Sequence, residues 1–157
     1  MEYLILKWLH ILSATLLFGT GLGSAFYKFM TDRAGSIQAI SQTNKLVVLA
    51  DWLFTTPTII LQPITGVWLA LIAGYTITSS WLVLSIVLYI IAGLCWLPVV
   101  HMQIRMRDLS LTTIKQRQSL DKRYARLARI WFWLGIPAFT ALIGVYYLMV
   151  FKPTLWD

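Results

Sequence analysis

Four long apolar runs, separated by polar segments, set the rhythm of this chain. They cover about 3–27 (interrupted by Lys7 and His10), 52–74, 81–104 and 130–151. A hydrocarbon core about 30 Å thick needs roughly 20 mostly apolar residues in a helix to cross it. Within lipid every backbone N–H and C=O must be satisfied inside the segment, and a helix does this. The pattern therefore predicts an all-α, four-transmembrane-helix bundle forming a single domain over residues 1–157. Between the runs lie a polar link (Lys28 to Lys45), an uncharged turn (Tyr75 to Ser80) and a basic link (Arg105 to Arg129).

Composition agrees: 59% of residues are hydrophobic and 12% charged, against about 25% charged in a soluble domain. Charge position then sets orientation. Eleven of the thirteen Lys and Arg residues fall in the first and third links, and only Lys7 and Lys152 lie elsewhere. Basic residues in short loops stay on the cytoplasmic side, so both termini are expected outside and the basic loops in the cytoplasm. The net charge of +7 is thereby explained by topology, and no nucleic-acid partner is implied. Trp81, Trp131, Trp133 and Trp156 are read as interfacial anchors. The opening MEYLILKWLH lacks the basic start and unbroken apolar core of a signal peptide, so a retained first helix is expected. The lone Cys95 excludes a disulfide framework or a CxxC redox centre.

The basic link has two readings. Leu120, Tyr124, Leu127 and Trp131 recur at helical spacing, which suits an amphipathic helix lying on an anionic leaflet. Equally, the fourth helix begins early and projects into the cytoplasm.

Ionisable residues inside a bilayer are functional candidates because burying them is costly. With a rise of about 1.5 Å per residue, His10 lies roughly 10 Å below the outer edge and His101 roughly 30 Å. That separation excludes one haem ligated by both. Level with His10 fall Gln62 and Thr65 of the second helix, Ser85 and Tyr89 of the third, and Tyr147 of the fourth. Lys7 stands one turn above His10 on the same face. The candidate outer site is thus Lys7, His10, Gln62, Ser85 and Tyr147. A second polar group, Asp51, His101 and Arg105, gathers at the inner edge. There an Asp51–Arg105 pair is expected to pin the second and third helices together.

Pro57, Pro63, Pro98 and Pro137 each remove a backbone donor and free an upstream carbonyl that must find another partner. Thr15, Gly19 and Gly23 form a small-residue series suited to close helix packing. No GxSxG, HExxH, phosphate loop or paired carboxylates occur, and one Cys with scattered Met supplies too few soft ligands for copper handling.

The run Lys7-Trp8-Leu9-His10-Ile11-Leu12-Ser13, followed by Phe18-Gly19-Thr20-Gly21, resembles the first helix of copper-resistance D-type proteins and of membrane-bound, haem-associated protoporphyrinogen oxidases. Pro63-Ile64-Thr65-Gly66, Trp81-Leu82, Trp96-Leu97-Pro98 and the closing Tyr147 to Pro153 resemble an uncharacterised family of bacterial four-helix integral membrane proteins, over most of the chain. The first resemblance implies a haem-ligand or redox role for His10 only; the oxidases also place a lysine shortly after a later helix-opening tryptophan, and its lack in Trp81-Leu82-Val83-Leu84-Ser85 speaks against porphyrinogen oxidation. The expectation is a bacterial inner-membrane protein that binds b-type haem, His10 ligating the iron. The alternative is a non-enzymatic membrane subunit or small permease using Lys7, His10 and Gln62. Expected partners are the lipid bilayer and a second copy or a partner subunit.

Overall fold

The computed structural model describes residues 1–117 and 119–156. Five α-helices, α1 (Glu2–Ala34), α2 (Ile37–Ala50), α3 (Thr56–Ile72), α4 (Ser80–Gln116) and α5 (Lys122–Phe151), carry the chain, with no strand among the described residues. A π-helical turn, Asp51–Thr55, joins α2 to α3 without a break. Four rods result, Glu2–Ala34, Ile37–Ile72, Ser80–Gln116 and Lys122–Phe151, each long and apolar enough to cross a membrane. The molecule is a four-helix integral membrane protein.

The rods outrun the hydrophobic runs that predict them. At about 1.5 Å per residue, the 37 residues of α4 extend roughly 55 Å, well beyond a 30 Å hydrocarbon core. The excess lies at the basic end. The expected links are mostly helix there: α1 runs on through Lys28 and Asp32, α2 covers Ile37–Ala50, and α4 and α5 continue to Gln116 and back to Lys122. Of the two readings of the basic link, the structure adopts the projecting helix hairpin. Local chemistry fits these ends. Gly35 takes a left-handed conformation (φ 76°) that ends α1, Ser36 caps α2 through its side chain, and Asp121 caps α5 by accepting from Arg123 N–H at 3.0 Å.

Two apolar clusters hold the ends of the bundle. The inner one centres on Ile40, Met102, Met106, Tyr124 and Trp131, with Leu120 and Leu127 packed against it. The outer one comprises Ala70, Trp81, Leu82 and Leu148. Beside it the C-terminal segment is tied back, with Leu155 N–H donating to Ser80 Oγ at 3.0 Å and Lys152 seated 4.7 Å above the Tyr75 ring. Two of the expected interfacial tryptophans are therefore core residues: Trp81 is 5% exposed and Trp131 6%, whereas Trp133 and Trp156 are exposed.

Prolines and glycines act at particular points. Pro63 has no N–H for the Ile59 carbonyl, and the Tyr89 hydroxyl donates to that oxygen at 2.7 Å, linking α4 to α3. The π turn precedes Pro57, whose ring would crowd the carbonyl four residues back. The Thr15, Gly19 and Gly23 series does not form the expected seam, since a Cβ on Gly19 or Gly23 would meet nothing within 4 Å. Close approach occurs instead at Gly66, where a Cβ would sit 3.1 Å from His10, and at Gly144, 2.9 Å from Leu88.

Candidate functional site

Three polar assemblies occupy the bundle. In the outermost, α1 meets α3. His10 Nδ1 lies 2.7 Å from Thr65 Oγ1, and Gln62 Nε2 donates to the His10 carbonyl at 2.8 Å and to Ser13 Oγ at 2.5 Å. The Thr65 hydroxyl donates its one proton to the Leu61 carbonyl at 2.7 Å. With the proton so placed, Thr65 Oγ1 accepts from Nδ1–H; turned toward the ring, the same hydroxyl donates to Nδ1 instead. Of the five expected outer-site residues, only His10 and Gln62 come together. Lys7 is exposed, 5.8 Å from the Tyr3 ring. Ser85 returns its hydroxyl to the Trp81 carbonyl within α4. Tyr147 is exposed and stacks on Phe151. Thr65, level with His10 in the sequence reading, is the residue that fixes the ring.

The second assembly lies toward the basic end and differs from the expected inner cluster. His101 and Arg105 are exposed and do not reach Asp51. Asp51 is buried at 6% exposure, accepting from Thr55 Oγ1 at 2.9 Å, with Gln103 beside it. The expected Asp51–Arg105 pin is replaced because the π turn directs Asp51 inward, whereas Arg105 keeps its charge at the outer surface of α4. The Gln103 side chain is within hydrogen-bonding reach of the Asp51 carboxyl, while Asp51 Oδ2, Gln103 Oε1 and Trp131 Nε1 are each enclosed by protein and make no hydrogen bond of full geometry.

These three residues line one cavity of about 510 Å³ between the α1–α3 side and the α4–α5 side of the bundle. Its remaining wall is apolar and aromatic, including Leu17, Phe26, Phe29, Trp96, Phe132 and Phe139. Asp51, from the π turn, Gln103 of α4 and Trp131 of α5 stand at its basic end. From Gln103 the α4 wall runs outward to Tyr89, a span of roughly 20 Å. Gly93 and Gly135 also line it, and a Cβ on either would meet nothing within 4 Å. Aromatic pairs bridge α1 and α5 along its lipid-facing side, Phe29–Phe132 at 5.2 Å and Phe18–Phe139 at 5.7 Å. The arrangement is a long, partly open apolar cleft with three polar residues at one end.

The third assembly was read in the sequence only as topological charge. Lys28 is fully buried, and its ammonium donates to Asp32, Asn44 Oδ1 and Tyr124 OH, each at 2.9 Å. Tyr124 passes its proton to Asp32 Oδ1 at 2.6 Å and accepts from Asn44 Nδ2 at 3.0 Å. The ammonium also sits 5.4 Å from the Trp131 ring centre. One cation thus ties α1, α2 and α5 together where the bundle leaves the membrane, beside the cavity floor.

The model of one family, described as "Predicted integral membrane protein (DUF2269)", matches residues 4–153. The chain belongs to this family. No curated protein and no solved structure matches it. Membership in DUF2269 accords with the four spans and with an inner-membrane location. The comparisons carry the resemblance no further than this family, and not to copper-resistance D-type proteins or porphyrinogen oxidases specifically. No group of three or more His, Cys, Asp or Glu side chains gathers among the described residues.

Asn44, Gln103, Tyr124 and Trp131 escape sequence reasoning for a common reason. Each lies in or beside a segment read as a polar link or an interfacial belt. Helical spacing held the signal: Lys28 and Asp32 are one turn apart on α1, and Gln103 follows the apolar stripe of α4.

Proposed function

We propose that this protein is a membrane-embedded binding protein for a lipid-soluble amphiphile. The ligand enters from the bilayer between α1 and α5 and lies along the apolar shaft with its polar end toward Asp51, Gln103 and Trp131. The observation that carries this reading is a large, mostly apolar cleft of about 510 Å³ with three polar residues, Asp51, Gln103 and Trp131, gathered at its basic end. The volume lies within the usual range for small-molecule sites, about 300–1,000 Å³, and the cleft is open enough to be entered. The test is thermal melting of delipidated protein with and without a total extract of bacterial membrane lipids. Wild type is expected to be stabilised by the extract. Gly135→Leu, which fills the shaft, is expected to melt higher when delipidated and to gain nothing from the extract. Equal gains in both proteins would refute the reading.

A second reading is favoured by the His10 geometry. A ligating histidine usually donates its other ring N–H to a fixed acceptor, and Thr65 Oγ1, 2.7 Å from Nδ1, is placed to be one, which would leave Nε2 to a ligand. His10, held by Thr65, would ligate the iron of a b-type haem, which supplies a one-electron couple when bound. His10 is outside the lining of the large cavity, so this site would be separate from the amphiphile site. Purification from haem-replete cells tests it: a Soret band lost in His10→Ala supports the reading, and a colourless wild-type protein refutes it.

A further inference from the structure

Two arginines frame the basic end of the cleft where it faces lipid. Phe29 of α1 and Phe132 of α5 stack at 5.2 Å across the α1–α5 opening. Because α1 runs toward the basic end and α5 away from it, Arg33, four residues after Phe29, and Arg129, three before Phe132, both stand one turn beyond that pair on its basic side. Arg33 lies 5.3 Å from the centre of the Phe29 ring, and both arginines are exposed. Trp133, 64% exposed and edge-on to Phe132, marks the headgroup level, and Arg129 is roughly 6 Å beyond it. Neither arginine enters an ion pair among the described residues. The carboxylates of this end are engaged elsewhere: Asp32 with Lys28 and Tyr124, Asp108 with Arg107, Asp121 at the start of α5, and Asp51 inside with Thr55. Between the Phe29–Phe132 pair and the Phe18–Phe139 pair farther out, Leu22, Phe26 and Ile136 line the cavity and are also exposed, so a mouth opens there to lipid. Phe26 and Ile136 are each seven residues from the arginine of their own helix, or roughly 10 Å.

We propose that the ligand is an anionic phospholipid from the leaflet at the basic end, its phosphate held between Arg33 and Arg129 and one acyl chain passing through the mouth into the cleft. This rests on the amphiphile-binding reading above and adds the chemistry of the head. A guanidinium offers phosphate oxygens two parallel donors in a fixed fork, and one such group stands on each side of the opening. The charge balance selects lipids of net negative charge. A choline head would bring a further cation to a rim whose neighbouring carboxylates are already engaged. The phosphate stays outside the Phe29–Phe132 pair, in headgroup space, and makes no demand on the enclosed polar atoms of Asp51 and Gln103.

The experiment titrates delipidated protein in dodecylmaltoside micelles with dioleoylphosphatidylglycerol or dioleoylphosphatidylcholine, separately, and counts bound lipid by native mass spectrometry. Wild type is expected to bind phosphatidylglycerol about thirtyfold more tightly, the worth of two basic residues beside an anionic head. Arg33→Gln and Arg129→Gln should each reduce that preference about fivefold, and together remove most of it. Lys115→Gln with Lys122→Gln, an equal loss of charge from exposed positions at the far tip of the α4–α5 hairpin, should leave it unchanged. Gly135→Leu should bind neither lipid. The comparison of the two lipids on wild type needs no variant, so the proposal stays testable if the arginine variants do not fold. Equal binding of both lipids on wild type, lost in Gly135→Leu, overturns the anionic head while leaving the amphiphile site standing. A preference that falls as far in the lysine pair as in the arginine pair overturns the assignment to Arg33 and Arg129. Displacement of the lipid by glycerol 3-phosphate at equal concentration gives the rim to a water-soluble phosphate and overturns the lipid. Phosphatidylglycerol binding that survives in Gly135→Leu overturns both readings.

Discussion

Replacing Lys28 with Met keeps most of the side-chain volume and removes one charge from the interior. The ammonium makes three hydrogen bonds of 2.9 Å, to Asp32, Asn44 and Tyr124, from a residue with no exposed surface. Breaking a buried pair by removing one partner costs about 3–5 kcal/mol. The lower end applies here, because Asp32 is 19% exposed and keeps both water and the 2.6 Å bond from Tyr124. Asn44 Oδ1 is the principal orphan, in a residue 2% exposed. Lys28→Met should therefore lose about 3 kcal/mol, measured by SDS-driven unfolding from dodecylmaltoside micelles with tryptophan fluorescence. Asp32→Asn in the Lys28→Met background should cost less than in wild type, with a coupling of about 1–3 kcal/mol. A loss below about 1 kcal/mol, in the range of ordinary surface ion pairs, or strictly additive effects would refute the claim that this cation ties the inner ends of the helices together.

Two further outcomes are expected. In a Cys95→Ala background, a cysteine placed at position 78 should react with a membrane-impermeant maleimide from outside intact cells and one at position 115 only after lysis; the reverse pattern would contradict the orientation drawn from the basic loops. Gly144→Ala should change stability by less than about 1 kcal/mol, because its Cβ would meet only the movable tip of Leu88, Cδ1 at 2.9 Å, and alanine favours the helix by about as much; a loss above about 2 kcal/mol would show that Leu88 is held fast between α4 and α5.

Hydropathy made the four spans legible, because lipid leaves the backbone few alternatives to a helix. Proline chemistry was legible too: the carbonyl freed by Pro63 does find a new partner, and Tyr89 provides it. Depth reasoning brought His10 to Gln62 and Thr65 but could not tell which residues of a layer face one another, so Lys7, Ser85 and Tyr147 were placed with them although they point elsewhere. At the inner edge Asp51 was recognised and its partner was not, because a π turn rotates everything that precedes it by an amount no hydropathy pattern records. Lys28 counted as a cytoplasmic charge, yet Asn44 and Tyr124 draw it inside. The cavity had no sequence signal at all. It arises where Gly93 and Gly135 leave space between helices, and a void has no period.

Native mass spectrometry of protein released from nanodiscs made with the lipids of its own host membrane tests the central claim most directly. The account predicts that wild-type protein leaves the disc carrying a small amphiphile as a discrete mass adduct, and that Gly135→Leu leaves without it. A wild-type protein that emerges bare, or the same adduct on both proteins, would contradict it.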